Sequence, residues 1–100
     1  MGNNALLTLG LARRAGKTVP GMDLLTQLHK APALILVASD ASERVSKTLE
    51  TRGWDFVRTG IPKADLGNAL GCTEVAAVGV TDAGFAAVIR EKMKFQEEQE

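Results

Sequence analysis

Charged and polar residues that could bind phosphate are concentrated in the first third of the chain. They surround a predicted helix start and comprise Arg13, Arg14, Lys17, Gly21, Asp23, Gln27 and Lys30. Free amides at the start of a helix donate hydrogen bonds to phosphate, and neighbouring cations add electrostatic attraction. The spacing therefore predicts a surface for a phosphate backbone, against the alternative of scattered, solvated charges.

The distribution of charge supports a polarised surface, although the formal net charge of the chain is zero. Residues 1–63 hold nine Lys/Arg and five Asp/Glu, a net +4, whereas residues 64–100 hold three and seven, a net −4. A neutral protein polarised in this way can present one positive face to RNA. The chain has no tyrosine, and Trp54 and Phe56 have a strand pattern, which argues against a stacking single-strand binder. A folded, kinked duplex recognised through shape and base edges fits better.

Residues suited to catalysis are few. The single histidine, His29, and the single cysteine, Cys72, exclude a His-based triad, a multi-His metal site and an internal disulfide within one chain. Asp40 and Asp82 each follow a predicted buried strand, where two carboxylates could hold Mg²⁺, but each also has the position of a helix cap. No glycine-rich nucleotide motif occurs. We therefore expect no enzymatic activity, no cofactor and no metal.

The elements that must position these residues alternate between helix and strand. A first helix is predicted from Asn3 or Asn4 to about Arg14, with Leu6, Leu7, Leu11 and Ala15 along one face and Gly16 as its stop. A short edge strand over residues 17–19 stays open. A second helix over residues 21–30 is predicted to bury Leu24, Leu25 and Leu28 before Pro32 ends it.

Two unbroken apolar runs, residues 34–38 and 75–80, predict strands covered on both faces. Between them, Asp40 and Glu43 resemble a capping box for a third helix that Gly53 stops. A short helix carrying Leu66, Ala69 and Leu70 is predicted to end at Gly71. A final helix begins after Thr81 or Asp82 and turns an inner stripe toward the sheet, comprising Phe85, Val88, Ile89 and Met93.

The alternation predicts the α/β class, as a single-domain three-layer α/β/α sandwich with a four-stranded, mostly parallel (mixed) sheet. The domain is expected over residues 1–95, followed by an acidic, frayed tail over residues 96–100. No apolar run approaches the ~20 residues that a membrane helix needs. The absence of a signal-peptide pattern and the lone cysteine point to a reducing cytoplasm.

Four segments, taken in order, resemble a known family. They are residues 10–17 (Gly-Leu-Ala-Arg-Arg-Ala-Gly-Lys) with Val19 and Gly21, residues 34–40, residues 65–71 (Asp-Leu-Gly-Asn-Ala-Leu-Gly) and residues 75–86. Together they span about residues 5–90. They are similar to the bacterial YlxQ and YbxF proteins, which are relatives of the ribosomal protein L-seven-Ae of the kink-turn RNA-binding superfamily.

The resemblance implies an RNA surface built from the start of the second helix and the loop after Gly71. In kink-turn binders the first element reads Gly-x-Asn-Glu-x-x-Lys, and the loop commonly carries an apolar residue, Ser and Arg. The amide and the carboxylate address sheared G·A pairs, and the lysine addresses phosphate. The matching residues in this chain are Gly21, Met22, Asp23, Leu24, Gln27, Cys72, Thr73 and Glu74.

Four of these residues depart from the pattern. An ionised Asp23 accepts hydrogen bonds but cannot donate one, and Leu24 can do neither. Gln27 lacks the positive charge of lysine, and Glu74 has the wrong sign for a polyanion. We predict a ribosome-associated module that binds structured RNA without high affinity for standard kink turns. The alternative is a protein-interaction module of the translation or transcription apparatus that has lost RNA binding.

Overall fold

Short strands and longer helices alternate along the chain. The computed structural model describes residues 4–98. In chain order the elements are α1 (Asn4–Arg14), β1 (Thr18–Pro20), α2 (Met22–Leu25), β2 (Leu34–Val37), α3 (Glu43–Thr51), β3 (Val57–Arg58), α4 (Lys63–Ala69), β4 (Ala77–Val80) and α5 (Ala83–Glu98). The glycines predicted to stop α1, α3 and α4 all have positive φ, as expected: Gly16, Gly53 and Gly71.

The two apolar runs form the centre of a four-stranded sheet with the order β1-β4-β2-β3. β2 pairs with β3 in parallel, but β4 is antiparallel to both β1 and β2. The α/β class and the mixed sheet are confirmed, whereas the expectation of mostly parallel pairing is wrong. That expectation came from burial on both faces, and burial depends on the covering helices rather than on strand direction.

Alternate residues of β2 point into two separate cores, which confirms the three layers. Leu34 and Leu36 lie in a core with side chains from α1, α4 and α5. Ile35 and Val37 lie in a second core with side chains from α2 and α3. Complete burial of a side chain of this size contributes about 1.5–3 kcal/mol, so the sheet is stabilised from both sides.

The side of α1 that faces the core carries two alanines and one leucine rather than the predicted row of leucines. Ala5, Leu9 and Ala12 are buried, whereas Leu7 and Leu11 are 67% and 55% exposed. The stripe that contains Leu7 and Leu11 therefore faces outward. The alanines allow α1 to pack closely, which the spacing of the leucines alone did not reveal. Asn3, one of the two predicted caps, lies outside the described residues, and Asn4 is the first residue of α1.

Helix α2 is much shorter than the predicted ten residues. It covers one turn, Met22–Leu25, and buries Leu25 but leaves Leu24 47% exposed. Leu28 is half-buried beyond its end. The Thr26 hydroxyl donates to the carbonyl oxygens of Met22 (2.8 Å) and Asp23 (3.2 Å). The Met22 carbonyl still accepts the helical bond from Thr26 N–H (2.9 Å), but Gln27 N–H and Leu28 N–H bond only three residues back, to Leu24 and Leu25 (3.1 Å each). The helix tightens and ends there, and the predicted helix over residues 21–30 is wrong.

The caps of the later helices differ from one another. Phe85 N–H donates to Asp82 Oδ2 at 2.9 Å, which confirms Asp82 as the cap of α5. The predicted capping box at α3 is wrong, because Ser42 occupies the cap position and Asp40 Oδ1 accepts a hydrogen bond from Lys63 N–H instead. On α5, Ile89 is buried but Val88 is 44% exposed, so Val88 is not part of the inner stripe.

The remaining expectations concern strand β3 and the end of the chain. Trp54 and Phe56 precede β3 and pack, half-buried, against the second core. Helix α5 runs to Glu98, and residues 99–100 of the expected tail lie outside the described residues. Among the described helices, none combines the length and the apolar character needed to cross a membrane.

Candidate nucleic-acid interface

Two segments predicted to contact RNA meet at one end of the sheet. Gly21, directly after β1, donates its N–H to the Ala77 carbonyl at 2.8 Å. The carbonyl of Ala76, the residue before Ala77, accepts a hydrogen bond from Ala38 N–H at 2.8 Å. The start of α2 and the loop that leads into β4 are therefore neighbours. Gly21 has φ of 92°, a left-handed conformation that favours glycine and turns the chain from β1 into α2.

The loop over residues 72–75 is held tightly against α4. Cys72 N–H donates to the Gly67 carbonyl (2.7 Å), and Val75 N–H donates to the Lys63 carbonyl (3.1 Å). A Cβ added at Gly67 would lie 2.8 Å from Glu74 Cα and from the Thr73 carbonyl carbon, closer than packed atoms approach. Only glycine at position 67 lets the loop backbone lie directly on the helix. The loop is therefore presented in one conformation rather than free to move.

A small charged network lies beside this loop. Lys63 Nζ is 3.9 Å from Glu74 Oε1, and these side chains are 35% and 60% exposed, respectively. Asp40 accepts the backbone N–H of Lys63, which fixes the start of α4. Sequence reasoning missed Lys63. The available signal was its position four residues before Gly67, which places both on the same face of the helix.

Most motif residues on the α2 side are open to a ligand, whereas Met22 packs in part against the second core. Asp23, Leu24 and Gln27 are exposed, and Met22 is half-buried. In the facing loop Cys72, Thr73 and Glu74 are exposed. All of the residues taken from the family motif therefore lie on the surface, on two segments that meet at the same end of the sheet.

The four predicted phosphate-binding cations are all exposed but do not form one cluster. Lys17 precedes β1, whereas Gly21 follows it. The Lys17 carbonyl accepts a hydrogen bond from Thr81 N–H, just beyond the end of β4. Four residues of extended chain separate Lys17 from Gly21, about 13 Å. The Arg13 guanidinium lies over the turn after α4, where it would contact a Cβ at Gly71 (2.7 Å). Lys17 thus lies toward the opposite end of the sheet from the two segments, whereas Arg13 lies beside the turn that precedes the loop over residues 72–75.

The antiparallel pairing of β2 with β4 also decides the metal hypothesis. Asp40 follows the end of β2 and Asp82 follows the end of β4, and these ends point in opposite directions. The two carboxylates therefore lie at opposite ends of the sheet and cannot share one ion. Each instead accepts a backbone N–H, from Lys63 and from Phe85.

Comparisons with known proteins give both a sequence relative and structural neighbours. No family model matches the sequence. The RNA-binding protein YlxQ of Bacillus subtilis (strain 168) is 37% identical over 84 residues, which cover 78% of this chain and 83% of that protein.

Solved structures with this fold include two that cover most of the chain. A protein of unknown function from Bacillus halodurans C matches with a TM-score of 0.79 and 26% identity, covering 91% of this chain and 97% of that one. The 15.5kD RNA-binding protein of Giardia lamblia matches with a TM-score of 0.64 over 90% of this chain and 84% of that one. At 19% identity, the likeness to the Giardia protein shows the shared fold alone.

Proposed function

The chain belongs to the L-seven-Ae-like family, as its motifs predicted, and we propose that it is a ribosome-associated, RNA-binding module without catalytic activity. The domain is proposed to cover residues 1–95 and to act in the cytoplasm, in bacterial translation. The observation that carries this proposal is the meeting of two surface segments at one end of the sheet. Gly21 to Gln27 form one segment, and Cys72 to Glu74 form the other.

The geometry of these segments suits recognition of a folded RNA. The loop over residues 72–75 is fixed by hydrogen bonds to α4, and Gly21 is fixed by its bond to Ala77. Two neighbouring segments held by backbone hydrogen bonds can contact a folded duplex through its shape, without a stacking platform. Preorganised segments also lose little conformational entropy on binding. The same rigidity favours a structured RNA over a flexible single strand.

The side chains favour an RNA other than a standard kink turn. Asp23, Leu24 and Gln27 are exposed but cannot supply the donor, the acceptor and the cation that the family motif supplies. Glu74 is not an isolated negative charge, because Lys63 lies 3.9 Å away and offsets it in part. Direct base contacts are worth about 1–3 kcal/mol each, so the loss of the two at Asp23 and Leu24, together with the phosphate contact at Gln27, removes most kink-turn specificity.

Affinity in this proposal comes mainly from cations that contact phosphate. Arg13, Arg14, Lys17 and Lys30 are all exposed, and Arg13 lies beside the turn at Gly71 that precedes the second segment. We add Lys63, because its ammonium group lies beside the loop at the centre of the interface.

One observation favours a second candidate function, a protein-interaction module of the translation or transcription apparatus. Leu24 is 47% exposed on the first segment, where the family motif carries a carboxylate, and Cys72 is exposed on the second. An apolar side chain in place of a polar motif residue suits a protein surface better than a phosphate backbone. In this alternative the chain keeps the fold but has lost RNA binding.

The experiment that separates the two candidates is a titration of RNA at three salt concentrations. The RNA is first recovered by crosslinking it to the tagged protein in cells. Replacing Lys17 and Lys30 with alanine should weaken binding to every RNA tested. It should also flatten the slope of log affinity against log salt by ~0.7–0.9 per lost contact. Glu74→Arg should strengthen binding, because it removes the carboxylate next to Lys63 and adds a cation.

A matched control removes the same charge elsewhere. Arg44 and Lys47 are exposed on α3, away from both segments, and their double alanine variant should bind like the wild type. If the wild type and all three variants give superimposable binding curves, RNA does not bind at this interface. The protein-interaction alternative then takes the place of the RNA-binding proposal.

A further inference from the structure

A shallow apolar groove runs between α1 and α4, on the sheet face opposite α2. Its floor and walls include Leu7, Leu11, Asn68 and Ala69, and its volume is about 570 Å³. Leu7 and Leu11 are 67% and 55% exposed and follow each other by one helical turn. We refer to it as the α1–α4 groove.

The exposed leucines are not needed to complete the core. Ala5, Leu9 and Ala12 already fill the inner face of α1 and are almost fully buried. Leucines at i and i+4 on an outer face form a continuous apolar strip rather than scattered surface residues. Such a strip next to a groove is typical of a surface that another helix covers.

The charges at the two ends of the α1–α4 groove have opposite sign. Arg13 and Arg14 line one end of the groove. Asp65 lines an adjoining pocket at the other end, which shares Leu6 and Leu7 with the groove. The helices lie side by side in the same direction, because Asp65 neighbours Leu7 while Gly71 neighbours Arg13.

These charges lie on either side of a contact between the two helices at Gly10. An added Cβ at Gly10 would lie 3.6 Å from the Ala69 carbonyl oxygen. Asp65 lies four residues before Ala69, and Arg14 lies four residues after Gly10. Rotation by half a turn about an axis through this point exchanges the acidic end with the basic end.

We propose that the occupant of the α1–α4 groove is a second copy of this chain, packed antiparallel across a two-fold axis at Gly10. In this isologous dimer, Leu7 and Leu11 of one copy pack on the same strip of the other, and Arg14 of each copy faces Asp65 of its partner. The surface is therefore complementary to itself in charge, with an apolar strip between ends of opposite sign.

The strip is small, so the dimer is weak and reversible. Two leucines and one charge pair for each copy bury less than the ~1,200 Å² typical of a stable interface. Association is expected at concentrations on the order of 10–100 µM.

Sedimentation equilibrium of the full chain without RNA tests the proposal independently of the proposed function. The mass should rise with concentration from 10.6 kDa toward twice that value. Leu7→Asp and Leu11→Asp should each weaken association at least about tenfold. Val88→Asp is the matched control, since Val88 is also a half-exposed apolar residue but lies on α5 outside the groove, and it should associate like the wild type.

Charge reversal tests the antiparallel geometry. Arg14→Asp alone and Asp65→Arg alone each bring like charges together and should associate weakly. An equimolar mixture of the two variants should associate like the wild type. In the mixed pair, each contact between position 14 of one copy and position 65 of the other joins an aspartate to an arginine, so both contacts are attractive.

Two outcomes would overturn the proposal. A wild type that stays at 10.6 kDa up to several hundred micromolar has no self-association, and the groove then serves another partner. If the leucine variants abolish self-association but the equimolar mixture of the two charge variants does not associate, the copies are not antiparallel. Circular dichroism of each variant establishes that it is folded, so that loss of association is not loss of structure.

Discussion

Gly67 allows a sharp test of how the candidate interface is held in place. An added Cβ at this position would lie 2.8 Å from Glu74 Cα and Glu74 N, about 0.8 Å closer than an ordinary contact of ~3.6 Å. The loop cannot simply move away, because Cys72 N–H bonds the Gly67 carbonyl and Val75 N–H bonds the Lys63 carbonyl. Gly67→Ala must therefore displace backbone or break these bonds.

The two contributions to the stability of Gly67→Ala have opposite signs. Alanine in a helix interior is about 1 kcal/mol more favourable than glycine. Overpacking costs about 1–3 kcal/mol, and each backbone hydrogen bond lost costs about 1 kcal/mol more. The net expectation is a destabilisation of about 1–3 kcal/mol, which lowers the Tm by about 4–24 °C in a domain of this size.

Gly10→Ala is the matched control, because Gly10 is also inside a helix. Its Cβ would lie 3.6 Å from the Ala69 carbonyl oxygen, an ordinary contact, so only the helix propensity changes. This variant should be about as stable as the wild type or up to ~1 kcal/mol more stable. The assay is denaturant unfolding at low micromolar concentration, supported by thermal melts. Equal stabilisation by both alanines would refute the close packing of the loop on α4.

Two further predictions concern the fold and the ligand. Leu36→Asp should abolish folding, because a charge in a strand buried on both faces costs more than the whole stability of a small domain. The control variant Leu36→Met should melt cooperatively. A soluble, cooperatively melting Leu36→Asp protein would refute the layer assignment. A standard kink-turn RNA should bind more weakly than about 1 µM at physiological salt, given Asp23, Leu24, Gln27 and Glu74. A nanomolar constant that is lost when the G·A pairs are disrupted would contradict that residue-by-residue interpretation.

The sequence predicted the layers and the central strands because these depend on local patterns. The run over residues 34–38 is apolar at every position, and the structure buries every residue of it. Asp82 was identified as a cap because its short carboxylate reaches an amide three residues later, an interaction within one turn of chain. Both inferences needed no knowledge of distant residues.

The errors came from contacts that are distant in sequence. The direction of a strand depends on the end of the sheet at which the chain enters it, and the burial pattern of the strand carries no information about that end. The outward direction of Leu7 and Leu11 depends on how closely α1 packs on α4. The role of Asp40 depends on Lys63, 23 residues away, whose amide competes with the predicted cap. Lys63 was missed as an interface residue for the same reason, since its significance comes from the loop that folds back onto α4.

The short length of α2 changes the physical basis of phosphate recognition. A helix of four residues aligns few peptide dipoles, so the field at its start is much weaker than the half charge of a longer helix. Attraction to RNA must then come from side-chain cations, and the salt dependence of binding should count those cations. If Lys17, Lys30 and Lys63 each contact a phosphate, the slope of log affinity against log salt should fall in about equal steps as they are removed one by one. A slope that stays constant while affinity falls would place the attraction in backbone amides and base contacts instead.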